Sequence, residues 1–339
     1  MKLVFWTDFD FDPEIFNHPV SIVLSKTLLM TAIDHDLVTE YQIFNVSKGD
    51  KELLPKTIDF KPNLIIYSPR HSVIHLDQSD IKVIHSQEIP VLLTIWDSYP
   101  YPWVNHIEGH WLSSATYIAV VDSITSFYKY KALSLCYQNL KGVVFFGGNH
   151  AFTDIFKHEP LKKEYDVFFM GSKVDIRGYL IKYLEEHFAD SDVSLFVGGG
   201  FSAQQALSYE KYVELVNSSK ICLSSDTQGN QKIKGRIFEY LACGAFCLSD
   251  CPQETARFFP SDCLVTYTDF DDCIDKIIYY LNNPGEREAI AQRGHQWFHK
   301  TFNYQKFWIS LLVAIANKDH HQVNLIGESV LPAKYQIGC

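Results

Sequence analysis

Residues 232–248 read KIKGRIFEYLACGAFCL and carry several structural signals in a short stretch. Apolar residues recur at helical spacing at Ile237, Leu241 and Ala242, which predicts one buried helical face. Gly244 is placed to end this helix as a left-handed cap, and the apolar run after it is typical of a buried parallel strand. A helix that leads directly into such a strand indicates one unit of an α/β sheet.

Arg236 and Glu239 lie three positions apart in the first turn of this predicted helix, so they project from the same side. A helix N-terminus with free backbone N–H groups and a neighbouring arginine favours phosphate binding. A carboxylate one turn later is suited to accept hydrogen bonds from the hydroxyls of a sugar ring. A surface ion pair on an ordinary helix would give the same pattern, so the two alternatives are distinguished by the features of the rest of the chain.

Composition limits the class of protein. The 339-residue chain has the length of two domains, and its 47% apolar content suffices for two cores. A net charge of −10 without a basic stripe leads us to expect no nucleic-acid partner. We expect no signal peptide and no membrane span, because no apolar run is long enough. The eight cysteines form no Cys-x-x-Cys pair, so we expect reduced, buried thiols and a cytoplasmic location.

Two groups of residues have a spacing seen in metal sites. Cys243, Cys247 and Cys251 are four residues apart, but they fall on a predicted helix end, a strand and a loop. Asp8 and Asp10 form an Asp-x-Asp pair, which binds metal in one class of sugar transferases well inside the chain, whereas here it follows the first strand. We therefore expect no metal site and no cofactor.

Short apolar runs alternate with helical or loop segments through the first half of the chain. Strands that alternate with helices predict a parallel, doubly wound sheet, in which ligands bind beyond the carboxyl ends of the strands. Asp97 follows the apolar run at 91–95 and precedes several aromatic residues, a position that suits a partly desolvated general base. A cap of the following turn is the alternative role for this aspartate. The apolar runs lie at 3–6, 41–46, 64–67, 81–84, 91–95, 117–121 and 142–146.

A second α/β series begins after the polar segment at 158–164, which we interpret as a linker. Its first predicted strand leads through Gly171 and Ser172 into a helix that carries Arg177, and such a loop is again compatible with phosphate. The glycines at 198–200 either allow a ligand to approach the backbone or make a flexible turn.

These features together resemble the GT-B type of nucleotide-sugar glycosyltransferases, an α/β fold of two Rossmann-like domains that face each other across a cleft. The specific match covers about residues 165–308 and includes SYEKY at 208–212, GRIFEYLACG at 235–244 and NPGER at 283–287. With these runs the chain resembles the group-1 glycosyltransferases, and within them it is most similar to the spore-maturation (CgeB-like) branch. The domains it implies are an acceptor-side domain at 1–155, a nucleotide-sugar-binding domain at 156–304, a helix at 305–317 that crosses back to the first domain, and a tail at 318–339 with little pattern.

The resemblance also implies an activity, the metal-independent transfer of a sugar from a nucleoside-diphosphate sugar to a hydroxyl of a carbohydrate, glycoconjugate or other acceptor. Arg236 would bind the diphosphate, Glu239 the ribose hydroxyls, and Asp97 would lie near the reacting carbon. The remaining donor-binding residues would lie near the phosphates and are Gly171, Ser172, Arg177 and Lys234.

Two departures from the group-1 pattern keep the stereochemical outcome open. Gln231 replaces the first of two glutamates that are eight residues apart in many members, and Trp96 replaces a histidine before Asp97. A non-catalytic nucleotide-sugar-binding protein and a nucleotide-sugar epimerase are alternatives with the same architecture. A Rossmann dehydrogenase is excluded, because no Gly-x-Gly-x-x-Gly follows the first predicted strand.

Overall fold

A computed structural model of the chain describes residues 1–7, 28–46, 52–68, 78–95, 112, 115–199, 207–226, 232–250 and 252–332. The chain divides into two compact units. The first unit is built from residues up to Asn149 together with residues from Gln305 onward, and the second extends from His150 to Tyr304. The polar segment 158–164, which has neither helix nor strand, lies inside the second unit.

The first unit contains a six-stranded sheet in the order β2-β1-β3-β4-β5-β6, and the strands pair in parallel throughout. Parallel pairing requires crossovers, and described helices lie in the connections that lead to β2, β3, β4 and β6. The strands are β1 Lys2–Thr7, β2 Glu40–Asn45, β3 Leu64–Ser68, β4 Val91–Ile95, β5 Tyr117–Val120 and β6 Gly142–Phe145, and the helices between them include 28–34, α1 Leu53–Phe60, α2 Gln78–Ser86 and α3 Ile124–Leu133.

One apolar run of the first half was misassigned by the sequence pattern. The sequence pattern predicted a strand at residues 81–84, but these residues belong to helix α2. Ile84 is fully buried whereas the neighbouring Val83 is 39% exposed, so one side of the segment faces the core, as expected of an amphipathic helix. A four-residue apolar run does not distinguish between the two structures, which is why the prediction was wrong.

The region after residue 318, which shows little pattern in the sequence, also forms a helix. Helix α10, Tyr304–Ala316, is followed by α11, His320–Glu328. Val323 of α11 is fully buried, and the Asn324 amide accepts from the backbone N–H of Val143 on edge strand β6 and donates to the carbonyl of Lys141. The helix thereby covers an edge that would otherwise expose unpaired backbone groups.

The second unit contains a five-stranded parallel sheet in the order β11-β10-β9-β7-β8. The chain starts in the interior strand β7, adds β8 on one side and then crosses to add β9 on the other. Ligands of such sheets bind beyond the carboxyl ends of the strands at this reversal. The strands are β7 Tyr165–Met170, β8 Leu195–Gly198, β9 Ser219–Ser224, β10 Cys247–Ser249 and β11 Val265–Thr266, and the helices are α4 Asp175–His187, α5 Tyr209–Asn217, α6 Gly235–Ala242, α7 Pro252–Phe258, α8 Phe270–Asn282 and α9 Pro284–Thr301.

Aliphatic and aromatic side chains from β7, β9 and β10 form the core of this unit with α4, α8 and α9. Helix α6 ends at Ala242 and Gly244 follows with φ +69°, which confirms the predicted left-handed cap. No described helix is both long and apolar enough to cross a membrane.

Candidate donor-binding site

Helix α6 begins at the carboxyl edge of the second sheet, and its apolar face fixes its position. Ile237 and Leu241 are fully buried, as their spacing predicts. Lys234 occupies the N-cap position in an extended conformation, and its side chain makes no capping hydrogen bond. The first turn therefore has backbone N–H groups that the N-cap side chain does not bind, and the positive end of the helix dipole favours an anion there.

Two arginine side chains converge beside this helix start. The guanidinium carbon of Arg236 lies 5.6 Å from the ring centroid of Phe169 at the end of β7, and that of Arg177 lies 5.7 Å from the same centroid. A methyl group at Gly171 would lie 2.9 Å from Nη1 of Arg236 and 3.1 Å from Nη1 of Arg177. Two positive charges thus approach one glycine, and this arrangement suits a doubly charged anion.

Arg177 is fixed by hydrogen bonds to neighbouring loops. Its Nε and Nη2 donate to the carbonyl oxygen of Ser225 at 3.0 and 2.6 Å, and its Nη1 donates to Oγ of Ser172 at 3.2 Å. Arg177 is 6% exposed, so it braces the loops after β7 and β9 from within. Nη1 of Arg236 is also buried but has no hydrogen-bond partner among the described residues. Because a buried donor without a partner costs free energy, Arg236 is suited to a ligand.

The glycines after β7 and β8 allow these two loops to touch. The Gly171 N–H donates to the Gly198 carbonyl at 2.9 Å, and a methyl group at Gly199 would lie 2.8 Å from the Gly171 nitrogen. Gly199 has φ +98°, which disfavours any side chain. The first two of the three glycines at 198–200 therefore serve a close backbone contact, and the third lies outside the described residues.

Glu239 lies one turn after Arg236 and is 6% exposed. The Tyr212 hydroxyl donates to its Oε2 at 2.7 Å, and Nε2 of His150 lies 3.7 Å from its Oε1. Burial raises the pKa of the Glu239 carboxyl, but the contact with His150, the hydrogen bond from Tyr212 and the charge of Arg236 together lower the pKa below its ordinary value. Glu239 is therefore a buried carboxylate that stays ionised at neutral pH.

Lys234 is held by a carboxylate next to the arginine pair. Its Nζ lies 2.7 Å from Oδ1 of Asp226, and the two side chains are 13% and 1% exposed. The Asp226 N–H in turn donates to Oδ2 of Asp250, so the loops after β9 and β10 are joined. In this structure the ammonium of Lys234 is neutralised by protein, unlike Nη1 of Arg236.

One segment of the chain, which includes most of the second unit, is similar to a known family. Residues 157–312 match the family described as "Glycosyl transferase-like". This segment contains Gly171, Arg177, Arg236 and Glu239, the residues around which the candidate site is built. No significant match was found among the curated proteins.

Solved structures with the same two-domain fold cover nearly the whole chain. Sucrose-phosphate synthase from Thermosynechococcus elongatus has a TM-score of 0.57 at 10% identity, over 94% of this chain and 97% of that one. The Anabaena protein Alr3699/HepE, in complex with UDP and glucose, has a TM-score of 0.58 at 12% identity over 95% and 99%. T4 phage BGT, in complex with its UDP-glucose substrate, has a TM-score of 0.52 at 14% identity over 96% and 100%. The fold is thus the predicted GT-B type, and together with the family match it supports a glycosyltransferase.

The predicted site residues fall into three groups in this glycosyltransferase-like fold. Gly171, Ser172, Arg177 and Arg236 lie together at the carboxyl edge, and Glu239 follows on the same helix. Lys234 adjoins them in its pair with Asp226. Asp97 lies outside the described residues, as do Asp8, Asp10 and Cys251 of the two metal-like spacings.

Sequence reasoning missed two residues that contact Glu239. His150 is 150 residues into the chain and belongs to no motif, although the glycine before Arg236 signals that something approaches the helix start closely. Tyr212 was noted only as the end of the SYEKY run, yet its hydroxyl donates to the carboxylate at 2.7 Å.

Proposed function

We propose that the protein transfers a sugar from a nucleoside-diphosphate sugar to a hydroxyl acceptor without a metal ion. The observation that carries this proposal is the convergence of Arg236 and Arg177 on Gly171 at an uncapped helix start, with Nη1 of Arg236 buried and unpartnered among the described residues. That arrangement offers positive charge and N–H donors for a diphosphate.

Each proposed role follows from the chemistry of transfer. The acceptor oxygen bonds to the anomeric carbon of the sugar while the bond from that carbon to the diphosphate oxygen breaks. Negative charge then grows on the leaving diphosphate, where Arg236 and the N-terminus of α6 stabilise it. Glu239 binds the ribose hydroxyls of the donor. Asp97 takes the proton that the acceptor hydroxyl loses, if the reaction inverts the anomeric centre.

UDP-glucose is the first donor to test, because solved structures of this fold contain it. The acceptor is a carbohydrate, a glycoconjugate or another hydroxyl compound. We place the protein nearest to the spore-maturation (CgeB-like) branch on the GRIFEYLACG run. We also place it in the cytoplasm, since the cysteines in the described ranges are all free thiols, and cell fractionation tests that location.

A thermal-shift screen against UDP, GDP, dTDP and ADP sugars tests the donor assignment, because a ligand that binds the native state raises its melting temperature. Calorimetry with the selected donor should show a large loss of affinity in Arg236→Ala. Arg293→Ala is the matched control, since it removes a half-exposed arginine of the same unit that pairs with Asp262. If no nucleotide sugar shifts the transition, or if Arg236→Ala binds as tightly as the control, the donor site is wrong.

Turnover distinguishes the enzyme from its alternatives. Donor binding without hydrolysis or transfer would favour a non-catalytic binding protein, and conversion of the sugar without an acceptor would favour an epimerase. Asp97→Asn should lower turnover while donor affinity stays unchanged. If turnover survives in that variant, Asp97 is a turn residue.

A further inference from the structure

The carboxylate of Glu239 contacts side chains from two distant parts of the chain. Tyr212 of α5 donates to one oxygen at 2.7 Å, and the imidazole of His150 approaches the other at 3.7 Å. Since each oxygen has its own partner, the carboxylate cannot rotate without losing a contact. Its orientation is therefore set by residues outside its own helix.

His150 itself has a fixed place against the start of α6. Its Nε2 lies 3.1 Å from the Gly235 carbonyl oxygen, which can only accept, so Nε2 carries a proton. A methyl group at position 235 would lie 3.0 Å from the same nitrogen, so the glycine leaves room for the ring. The ring of Phe238 meets the imidazole edge to face at 5.8 Å, and His150 is 2% exposed. One N–H group thus faces both a carbonyl of the phosphate-binding helix and the carboxylate.

We propose that His150 and Tyr212 are positioning residues that aim Glu239 at the donor ribose, and that they thereby make the site prefer a ribonucleotide to a deoxyribonucleotide. The inference rests on the proposed function, in which Glu239 binds the ribose. A carboxylate can accept about four hydrogen bonds, so lone pairs remain for the ribose hydroxyls. Hydrogen bonds to a charged group depend on direction, so a carboxylate that is free to turn loses this discrimination.

The test compares UDP, GDP and ADP with their 2′-deoxy counterparts by calorimetric titration of the full-length protein. The wild type should prefer the ribose form by about tenfold to a hundredfold, the range of one hydrogen bond to a charged group. His150→Leu and Tyr212→Phe should bring this ratio toward one, mainly by weakening the ribose form. His150→Gln should retain much of the ratio, because its amide keeps an N–H group on a side chain of similar length.

Two control variants remove the same kinds of group at other contacts of α6, one on this helix and one on α9. Tyr240→Phe deletes a hydroxyl that donates to the Leu223 carbonyl at 3.3 Å, and His295→Leu deletes an imidazole whose Nδ1 lies 3.1 Å from the Leu241 carbonyl. Both should keep the wild-type ratio. Far-UV circular dichroism and melting temperatures establish that each variant is folded, and Tyr212→Phe serves if His150→Leu is not.

The outcomes distinguish a failure of the positioning role from a failure of the donor site. If the wild type binds diphosphates but its ratio is near one, or if folded His150→Leu and Tyr212→Phe both keep the wild-type ratio, the positioning role is overturned while the donor site stands. If the wild type binds no diphosphate at all, the proposed function fails and this inference fails with it.

Discussion

Replacement of Arg236 by methionine should stabilise the ligand-free protein and abolish its response to a diphosphate. Methionine keeps much of the length of the side chain but has neither charge nor N–H donors. Removal of the buried, unpartnered Nη1 donor should return about 1–3 kcal/mol. Loss of the contact between the guanidinium and Phe169 costs about 0.5–2 kcal/mol. The variant also loses the charge repulsion between Arg236 and Arg177, which adds to its stability. It loses the attraction between Arg236 and Glu239 as well, which lowers its stability.

The balance favours the variant by about 1 kcal/mol, which corresponds to a rise in melting temperature of about 2–4 °C for a unit of this size. Thermal and urea unfolding should be followed with and without UDP or inorganic pyrophosphate. A ligand at a hundred times its dissociation constant should stabilise the wild type by about 2.7 kcal/mol and leave Arg236→Met unchanged. Arg293→Met is the control for the loss of a positive charge and should respond to ligand like the wild type.

Two results would refute this reasoning. A fall of several degrees in the ligand-free melting temperature of Arg236→Met would show that the arginine is a satisfied structural residue. A wild-type response to pyrophosphate in the same variant would show that the anion binds elsewhere.

Three further changes have defined outcomes. Gly199→Ala places a methyl group 2.8 Å from the Gly171 nitrogen at a positive φ, so the free energy of unfolding, measured in urea, should fall by about 1–3 kcal/mol; an unchanged value would mean that the two loops separate freely. Arg177→Lys cannot reproduce the two N–H contacts with the Ser225 carbonyl and should lose about 1–3 kcal/mol in the same assay, and full stability would contradict that bracing role. The pKa of Glu239 is lower in the folded protein, so the stability that this carboxylate contributes is present above the unfolded pKa of about 4.3 and is lost as pH falls through the folded value. The free energy of unfolding should therefore fall less steeply with decreasing pH in Glu239→Gln than in the wild type. Equal slopes would show that Glu239 does not contribute.

The sequence was sufficient to predict those parts of the site that depend on local structure. The periodicity of Ile237 and Leu241 and the glycine at 244 located helix α6 and its end. The alternation of strands and helices predicted both parallel sheets. The resemblance to GT-B glycosyltransferases, and not a local pattern, predicted that Gly171 and Arg236 lie near the same phosphates. The inferences about helix α6 and the alternating strands concern a period or a turn within about 20 residues.

The parts that were missed depend on contacts between distant positions. His150 reaches Glu239 across 89 positions of sequence, and no local period encodes such a contact. The pair of Lys234 with Asp226 was missed for a related reason, since the polar loop between them gave no sign that both side chains would be buried. The prediction of a strand at residues 81–84 was wrong because a short apolar run is compatible with a helix as well as with a strand.

The most direct test is a crystal structure of the protein with the nucleoside diphosphate that gives the largest thermal shift. The account predicts the diphosphate at the start of α6, with a phosphate oxygen within hydrogen-bond distance, about 2.7–3.1 Å, of Nη1 of Arg236, and the ribose hydroxyls on Glu239. A diphosphate bound away from Gly171 and Arg236, with Nη1 still unpartnered, would contradict the central claim.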